Sequence, residues 1–354
     1  MEPVLAAHDK TQFEVFVYAD VINPDAATQK LQGYVDTWRD IVGLSHEQAA
    51  SQIREDKIDV LIDLAGHTDK NRLLVFAQKP APVQVTYLGY AGTTGLSTID
   101  YKLTDNVLDP VGETEAFHTE KLVRLPIYRI VDFDREKSPG VNRLPALDNG
   151  YITFASFNNF SKVTSYIIAI WAKILTVLPT ARLLIVVKDA DKEETQQHVK
   201  NLFVKHDIAT ERLEIVGTSP FYQYFEQHNQ VDVSLGPFPH MGATTTFVSL
   251  WMGVPVITLT GQTPASRGEG PLLTLGLEDF VAKTSEEYVD IALNIANNLD
   301  KLNQTRTGLR DKMLNSPLMD AEKFTHSVEA AYRQNVANMV RGIRGQGTGG
   351  RRKE

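Results

Sequence analysis

Short, almost continuously apolar runs alternate with segments of helical character along most of this sequence. Three such runs in the first third of the chain are 13–19 (FEVFVYA), 60–66 (VLIDLAG) and 83–89 (VQVTYLG). A strand that is covered on both faces gives an unbroken apolar run rather than a strict alternation of polar and apolar residues. Ser45 is a predicted N-cap for a helix that separates the first two runs. The pattern therefore predicts parallel strands connected by helices, as in doubly wound α/β proteins.

A second series follows an irregular stretch, 131–150, that contains proline, glycine and charge without apolar periodicity. The predicted strands of this series are 151–157, 182–188, 213–217, 231–235 and 254–259. Because 354 residues are too many for one ordinary core, two domains are expected. We predict two Rossmann-like lobes at 1–135 and 151–330, a linker at 136–150, and a helix end with a disordered tail at 331–354.

The composition excludes several classes of function. The chain has no cysteine, which rules out disulfides, cysteine zinc sites and thiolate catalysis. Its formal net charge of −8 at pH 7 disfavours a nucleic-acid partner, because an acidic surface repels phosphate backbones. No stretch approaches the roughly 20 apolar residues of a membrane span, and no signal peptide is recognisable. We therefore expect a cytoplasmic protein with no membrane partner.

Segments that follow the predicted strands are the places to expect a site, since open parallel sheets bind ligands beyond the carboxyl ends of their strands. After 151–157 the sequence Asn158-Asn159-Phe160-Ser161-Lys162 brings amides and an amine to the start of a helix. An ammonium there neutralises a phosphate, and helix N-terminal amides assist it. The more ordinary interpretation is a capped loop with a solvated lysine.

A stronger candidate follows the predicted strand 231–235. The loop 236–243 leads into three threonines, Thr244, Thr245 and Thr246, which open a helix. Hydroxyls and first-turn amides together form an anion site that the helix dipole favours for a diphosphate. A threonine-rich helix cap explains the same pattern equally well. Arg267, after the strand 254–259, reaches either a phosphate or a surface ion-pair partner.

Two further segments follow strands of the first lobe and are expected to face the second lobe across a cleft. One contains His67, although a lone histidine is more often structural than catalytic. The other is 90–95 (YAGTTG), whose glycines allow the backbone to approach a ligand closely. Asp189 and Asp191 have a spacing that suits a metal, but the charged run after them favours a solvated helix start. No histidine or carboxylate cluster has convincing metal spacing, so no metal is expected.

Three segments carry a resemblance to a known family: 58–105 with PAPVQVTYLGYAGTTG, 157–163 (FNNFSKV), and 235–267 with TTTFVSLWMGVPVITL. They are similar to the catalytic region of protein O-GlcNAc transferases and their SPINDLY-like relatives. The resemblance implies an α/β fold of the GT-B type, with the parallel sheets of two Rossmann-like lobes facing a cleft. It also implies inverting, metal-independent transfer of a sugar from a nucleotide diphosphate to serine or threonine hydroxyls of a protein acceptor.

The resemblance also implies roles for individual residues. Lys162 would neutralise the departing diphosphate. The remaining nucleotide-binding residues would be Asn159, Ser219, Tyr224, Thr244, Thr245, Thr246 and Arg267. The sugar and acceptor cleft would be bordered by His67, Leu88, Gly89 and Tyr90. No cofactor is expected beyond the donor substrate, which is UDP-GlcNAc in the leading interpretation and GDP-fucose in the alternative one.

The sequence departs from the family pattern at several positions. The first strand of the first lobe, interpreted as an edge strand, and a loop histidine would lie before residue 1. Ala243 replaces a loop histidine, Val248 replaces an acid that holds the ribose, and Glu269 stands where a small residue is usual. These departures keep open another interpretation, a truncated or degenerate relative that binds a nucleotide or a partner without catalysis. A GT-B enzyme with a small-molecule, lipid or polysaccharide acceptor is a further interpretation that the sequence leaves open.

Overall fold

The computed structural model describes the backbone of residues 1–347 and the side chains of residues 1–341. The disordered tail was predicted for residues 342–354, but residues 342–347 continue the last helix of the chain, and the tail from 348 onward lies outside the described residues. The chain divides into two compact units, of which the first combines Met1–Ile130 with the segment from Asp320 and the second is Val131–Met319. Among the described residues, no helix combines the length and apolarity that a bilayer crossing requires.

Residues 136–150, predicted as a linker, belong to the second unit. Leu144 and Ala146 are buried, and the backbone N–H of Ala146 donates to the Asp232 carboxylate across 2.9 Å. Arg306, also fully buried, donates to the Asn142 carbonyl across 2.9 Å. The segment has no apolar periodicity because single residues, one of them at the start of the one-turn helix Ala146–Asn149, attach it to the core.

The first unit is built from short parallel strands and helices. Its strands are β1 Phe16–Ala19, β2 Thr37–Asp40, β3 Val60–Asp63, β4 Val83–Thr86, β5 Tyr101–Thr104 and β6 Lys121–Arg124. Its first helices are α1 Glu2–Ala7, α2 Ala26–Gln32, α3 His46–Glu55 and α4 Leu73–Phe76. The predicted N-cap Ser45 is confirmed, since its side chain accepts from the backbone of Gln48 in a capping box.

The second unit contains one six-stranded sheet in which every pair is parallel. Its strands are β7 Thr153–Ser156, β8 Arg182–Val186, β9 Leu213–Val216, β10 Val233–Leu235, β11 Val256–Leu259 and β12 Val281–Ala282. Its helices are α5 Ala146–Asn149, α6 Ser165–Val177, α7 Glu193–Val204, α8 Phe221–Gln227, α9 Thr244–Trp251, α10 Gly270–Thr274, α11 Ser285–Ala296 and α12 Leu299–Leu314. All five strands predicted in this region are present.

The strand order of the second sheet is β12-β11-β10-β7-β8-β9. Counted along the chain, this is the order 3-2-1-4-5-6 of nucleotide-binding doubly wound sheets, read from the β9 edge. The order reverses between β7 and β10. Connections leave in opposite directions at that point, which opens a crevice at the carboxyl ends of these two strands.

Two separate parallel sheets occur in the first unit, β1-β2 and β3-β4-β5-β6. The interpretation of the lobe's first strand as an edge strand stays a prediction.

Helix α13, Ala321–Gly347, returns the chain to the first unit. It packs on α1 and β4. The carboxylate of Glu329, on α13, lies 3.0 Å from Nδ1 of His8 and accepts from the backbone N–H of Asp9 across 2.8 Å. The helix therefore belongs with the first lobe, although the sequence-based boundaries placed residues 320–330 in the second.

Candidate functional site

The candidate site lies where the strand order of the second sheet reverses. β7 and β10 are hydrogen-bonded neighbours, with Phe154 opposite Val233 and Ala155 opposite Ser234. Both strands point the same way, so the segments that follow them emerge at the same edge of the sheet. These segments are 157–164 and 236–243, two of the places that the sequence singled out in this unit.

Lys162 joins these two segments. It ends a short 3-10 helix, Phe160–Lys162, and its side chain is half-buried. The ammonium donates a hydrogen bond to the backbone carbonyl of Met241 across 3.2 Å. A cation that is carried by the segment after β7 therefore lies against the loop after β10.

Asn158 provides the second link between the segments, and the sequence-based prediction missed it. Its side chain is 5% exposed, and its Oδ1 accepts a hydrogen bond from the Thr245 hydroxyl across 2.8 Å. Asn159, the predicted residue, is exposed and accepts from the backbone N–H of Ser161 across 3.1 Å. Because the two asparagines are adjacent, the sequence did not distinguish the one that points toward α9.

Helix α9 begins at Thr244 without a side-chain cap, because its N-cap residue is Ala243. The amides of Thr244 and Thr245 lie in the first turn, where a helix has no internal acceptors. Thr244 is exposed, Thr245 is half-buried and Thr246 is buried. An uncapped helix start with adjoining hydroxyls presents the positive end of the helix dipole to an anion.

Gly242 is a further residue that sequence reasoning did not select. A Cβ atom at this position would lie 2.8 Å from the Thr246 hydroxyl, 2.9 Å from Oδ1 of Asn158 and 3.0 Å from the Thr245 hydroxyl. Only glycine lets the loop pass this close to three polar oxygens. The signal in the sequence was the placement of Gly242 two residues before the threonines.

His240 lies on the same loop and was also missed. Burial lowers the pKa of its imidazole, and the positive charge of Lys162 lowers it further. The ring is therefore neutral at pH 7 and can both donate and accept a hydrogen bond. The sequence offered little reason to select His240, because a single histidine in a proline-rich loop matches no motif.

The segment that carries Arg267 packs on the loop after β10. The backbone N–H of Met241 donates to the Ala265 carbonyl across 3.0 Å, and a Cβ atom on Gly268 would lie 2.8 Å from Cβ of Met241. Arg267 is half-buried beside this contact. Glu269 is buried, and its Oε1 accepts from the Thr260 hydroxyl across 2.6 Å.

Tyr224 lies on α8, Ser219 lies just before α8, and Val248 lies within α9. The Tyr224 ring packs edge-on against Phe157, which directly follows β7, at 5.9 Å between ring centroids. Burial raises the pKa of the Tyr224 phenol. The Ser219 hydroxyl accepts from the Gln227 amide across 2.8 Å. Val248 is 3% exposed and belongs to the core.

In the first unit, the segments after β3 and β4 are in close backbone contact. A Cβ atom on Gly66 would lie 2.5 Å from Cβ of Tyr90, and one on Gly89 would collide with the Leu64 carbonyl. The His67 ring is exposed and meets the Tyr90 ring edge-on at 5.5 Å. The structure thus brings together His67, Leu88, Gly89 and Tyr90, which the sequence placed on two separate segments.

Leu88 adopts a left-handed backbone conformation with φ of 74°. Its carbonyl accepts a hydrogen bond from the Arg129 guanidinium across 3.0 Å. A leucine at this φ is unusual and marks a backbone held by its surroundings.

Among the residues with described side chains, no group of three or more histidines and carboxylates is arranged to hold a metal ion.

Comparison with known proteins gives concordant results. The sequence model of glycosyl transferase family 41 matches residues 1–136 and 142–328. The probable UDP-N-acetylglucosamine--peptide N-acetylglucosaminyltransferase SPINDLY of Solanum lycopersicum is 39% identical over 94% of this chain and 36% of its own length. This chain therefore spans about a third of the length of the curated relatives it matches.

Solved structures extend the comparison to the fold. A mutant of the O-GlcNAc transferase of Thermobaculum terrenum superposes with a TM-score of 0.90 at 35% identity, over 97% of this chain and 65% of that chain. Sucrose-phosphate synthase of Thermosynechococcus elongatus has a TM-score of 0.58 at 11% identity, over 91% of this chain and 88% of its own, which is a likeness of fold alone. The predicted GT-B fold class is confirmed.

Proposed function

The chain belongs to glycosyl transferase family 41, and we propose that it transfers N-acetylglucosamine from UDP-N-acetylglucosamine to serine or threonine hydroxyls of a protein. The SPINDLY relatives are named for this donor and for a peptide acceptor. A nucleotide sugar and a protein are the partners of this proposal. A cytoplasmic location stays a prediction from the composition.

One observation supports this function more than any other. The ammonium of Lys162 lies 3.2 Å from the Met241 carbonyl, on the loop that leads into the uncapped start of α9. A cation, two first-turn amides and threonine hydroxyls therefore share the crevice where such sheets bind nucleotides. Each of these groups favours a pyrophosphate.

In the proposed reaction, the acceptor hydroxyl oxygen attacks the anomeric carbon of the donor sugar, and the hydroxyl proton is released to water. The bond between that carbon and the β-phosphate oxygen breaks, and UDP leaves with the electron pair. Negative charge grows on the leaving oxygen, where the Lys162 ammonium and the α9 amides stabilise it. Attack on the face opposite the leaving group inverts the anomeric configuration.

The other groups of the site have supporting roles in this proposal. Gly242 lets the loop lie against the Thr245 and Thr246 hydroxyls, and Asn158 fixes the orientation of Thr245 by accepting a hydrogen bond from its hydroxyl. Both contacts pre-organise the helix start, so that no rearrangement is needed when the diphosphate binds. Arg267 supplies a second cation from the neighbouring loop.

The test uses the purified chain with UDP-N-acetylglucosamine or GDP-fucose and a mixture of acceptor proteins. We expect release of UDP and a mass increase of one N-acetylhexosamine on serine or threonine residues. Release of GDP with transfer of fucose would overturn the donor assignment. Calorimetric binding of UDP without transfer from either donor would favour the non-catalytic alternative.

A further inference from the structure

A cluster of charged side chains is buried in the first unit, away from the residues discussed so far. It contains Lys102 on β5, Asp109 and His118 in the connection between β5 and β6, and Glu120 just before β6. Their side chains are between 0% and 5% exposed. Buried charges are costly unless they are paired and hydrogen-bonded, so a cluster of this kind needs a structural or functional reason.

Asp109 is the centre of this cluster. It lies 3.2 Å from the Lys102 ammonium and 2.9 Å from Nε2 of His118, and it accepts from the Thr104 hydroxyl across 2.5 Å. Burial alone would raise the pKa of the Asp109 carboxyl, but the contacts with His118 and Lys102 hold it well below its usual range. The aspartate therefore stays ionised and keeps the Lys102 side chain in one position.

The outer groups of the cluster hold the loop after β4. The Lys102 ammonium donates to the backbone carbonyl of Ala91. Oε1 of Glu120 accepts from both the backbone N–H, across 2.7 Å, and the hydroxyl of Thr94, while its Oε2 accepts from the Thr93 hydroxyl across 2.7 Å. Ala91, Thr93 and Thr94 are thus each hydrogen-bonded to a buried charged side chain.

The attached loop continues directly from Leu88, Gly89 and Tyr90, the candidate border of the sugar and acceptor site. A backbone displaced by about 1 Å at such a place costs roughly a hundredfold in rate, because reacting groups must be held in a near-attack geometry. The nucleotide-binding groups of the proposed function lie in the other unit. The residues of the cluster and the groups that hold the diphosphate therefore belong to different units.

We infer that Glu120 is a positioning residue for sugar transfer, acting by fixing the loop 91–95 through Thr93 and Thr94. This inference rests on the proposed function. It requires that removing the charge of Glu120 loosens the loop and slows turnover, while the affinity for UDP stays the same.

The test compares Glu120→Gln with Glu115→Gln. Glu115 is a matched control because it also lies before β6, but its carboxylate pairs with Arg124 and accepts from the Gly112 backbone N–H, whereas that of Glu120 accepts from Thr93 and Thr94. We expect Glu120→Gln to lower kcat about tenfold to a hundredfold. Affinity for UDP should stay within about twofold of wild type, as for independent sites. Hydrogen exchange of the amides at 90–96 should accelerate, and Glu115→Gln should change none of these quantities.

Unchanged kcat and unchanged exchange in folded Glu120→Gln would overturn the inference, and so would a parallel loss of UDP affinity. If Glu120→Gln does not fold, the variants Thr94→Val and Thr94→Ser test the positioning role instead. The serine variant keeps the hydroxyl and should keep activity and protection, which the valine variant should lose. If the wild-type chain transfers no sugar, the proposed function fails, and the exchange of amides 90–96 still tests the positioning role.

Discussion

The ammonium of Lys162 donates to the carbonyl of Met241, a residue 79 positions later in the chain, across 3.2 Å. This contact places a cation from the segment after β7 beside the loop that enters α9. It is the relationship on which a diphosphate site in the second unit depends. The first two predictions below test the two sides of this contact.

Lys162→Ala should lower kcat for transfer by about 100-fold to 1,000-fold, the effect of removing one donor that stabilises the leaving charge. The fold should be kept, because the side chain is half-buried and packs on a loop rather than in the core. Steady-state kinetics with UDP-N-acetylglucosamine and circular dichroism measure the two quantities. The control is Lys301→Ala, since Lys301 is an exposed lysine that pairs with Asp279. Wild-type turnover in Lys162→Ala would remove this residue from its role.

Gly242→Ala should weaken UDP binding by about 1–3 kcal/mol, the usual cost of forcing extra volume into a packed place. The new methyl group would meet Thr246, Asn158 and Thr245 oxygens at 2.8–3.0 Å and push the loop away from α9. Calorimetric titration with UDP measures the change.

Gly308→Ala is the control for the preceding substitution. Gly308 lies within α12 and has open space around the added methyl group. The substitution should stabilise the chain by up to about 1 kcal/mol, because alanine is the better helix former. It should leave the affinity for UDP unchanged. Equal affinities of the two variants would contradict the packing argument for Gly242.

His228 makes the stability of the chain depend on pH. Its ring is fully buried, stacks on Phe157 at 3.7 Å, and its Nδ1 lies 2.9 Å from the Tyr224 carbonyl. Burial lowers the pKa of the imidazole to about 3, and the Arg306 charge acts in the same direction. The unfolded chain therefore takes up this proton at a higher pH than the folded chain.

The neutral, buried His228 ring makes its full contribution to the free energy of unfolding above pH 6.5, the ordinary pKa of histidine. This contribution is lost as the pH falls toward about 3, the pKa of the folded state. By pH 4.5 the loss from this one group is about 2–3 kcal/mol. Urea unfolding at pH 7.5 and 4.5 should show a smaller difference for His228→Phe, which keeps the stack but has no titrating ring. If the wild-type chain and His228→Phe lost the same free energy of unfolding between pH 7.5 and 4.5, other titrating groups would be the cause of the acid sensitivity.

The strands of the first unit should differ from those of the second in hydrogen exchange. All four residues of β7 are buried, whereas three of the four residues of β1 are only half-buried. A strand with one paired neighbour and partial cover opens locally at a lower free energy than a central strand. Amides of β1 should therefore exchange faster than those of β7 in the same sample. Equal protection in a native-state exchange experiment would contradict this expectation.

Sequence patterns predicted most strands, but β2 and β12 were missed. The sequence of β2, Thr37–Asp40, has three polar residues beside Trp38, and none of its residues is buried. An edge strand needs no apolar run, because one side of it faces solvent rather than a neighbouring strand. The buried strands β4, β7 and β11 had the opposite character, and their apolar runs were correctly interpreted.

Part of the candidate site was predictable from local sequence, and part depends on contacts between distant segments. Lys162 and Thr244 were selected because each follows a predicted strand, a rule that needs only the order of elements. Asn158, Gly242 and His240 were not selected, because their contacts join segments that are about 80 positions apart in the chain.

Taken alone, the sequence determined which segments form strands and helices, the class of fold, and the strand ends at which a site can occur. Those properties follow from apolar periodicity and chain order, which are local. Tertiary structure decided that α13 belongs to the first unit and which polar atoms meet near α9. Such features depend on sheet order and side-chain direction, and a one-residue change of position along a strand or loop reverses the direction in which a side chain points.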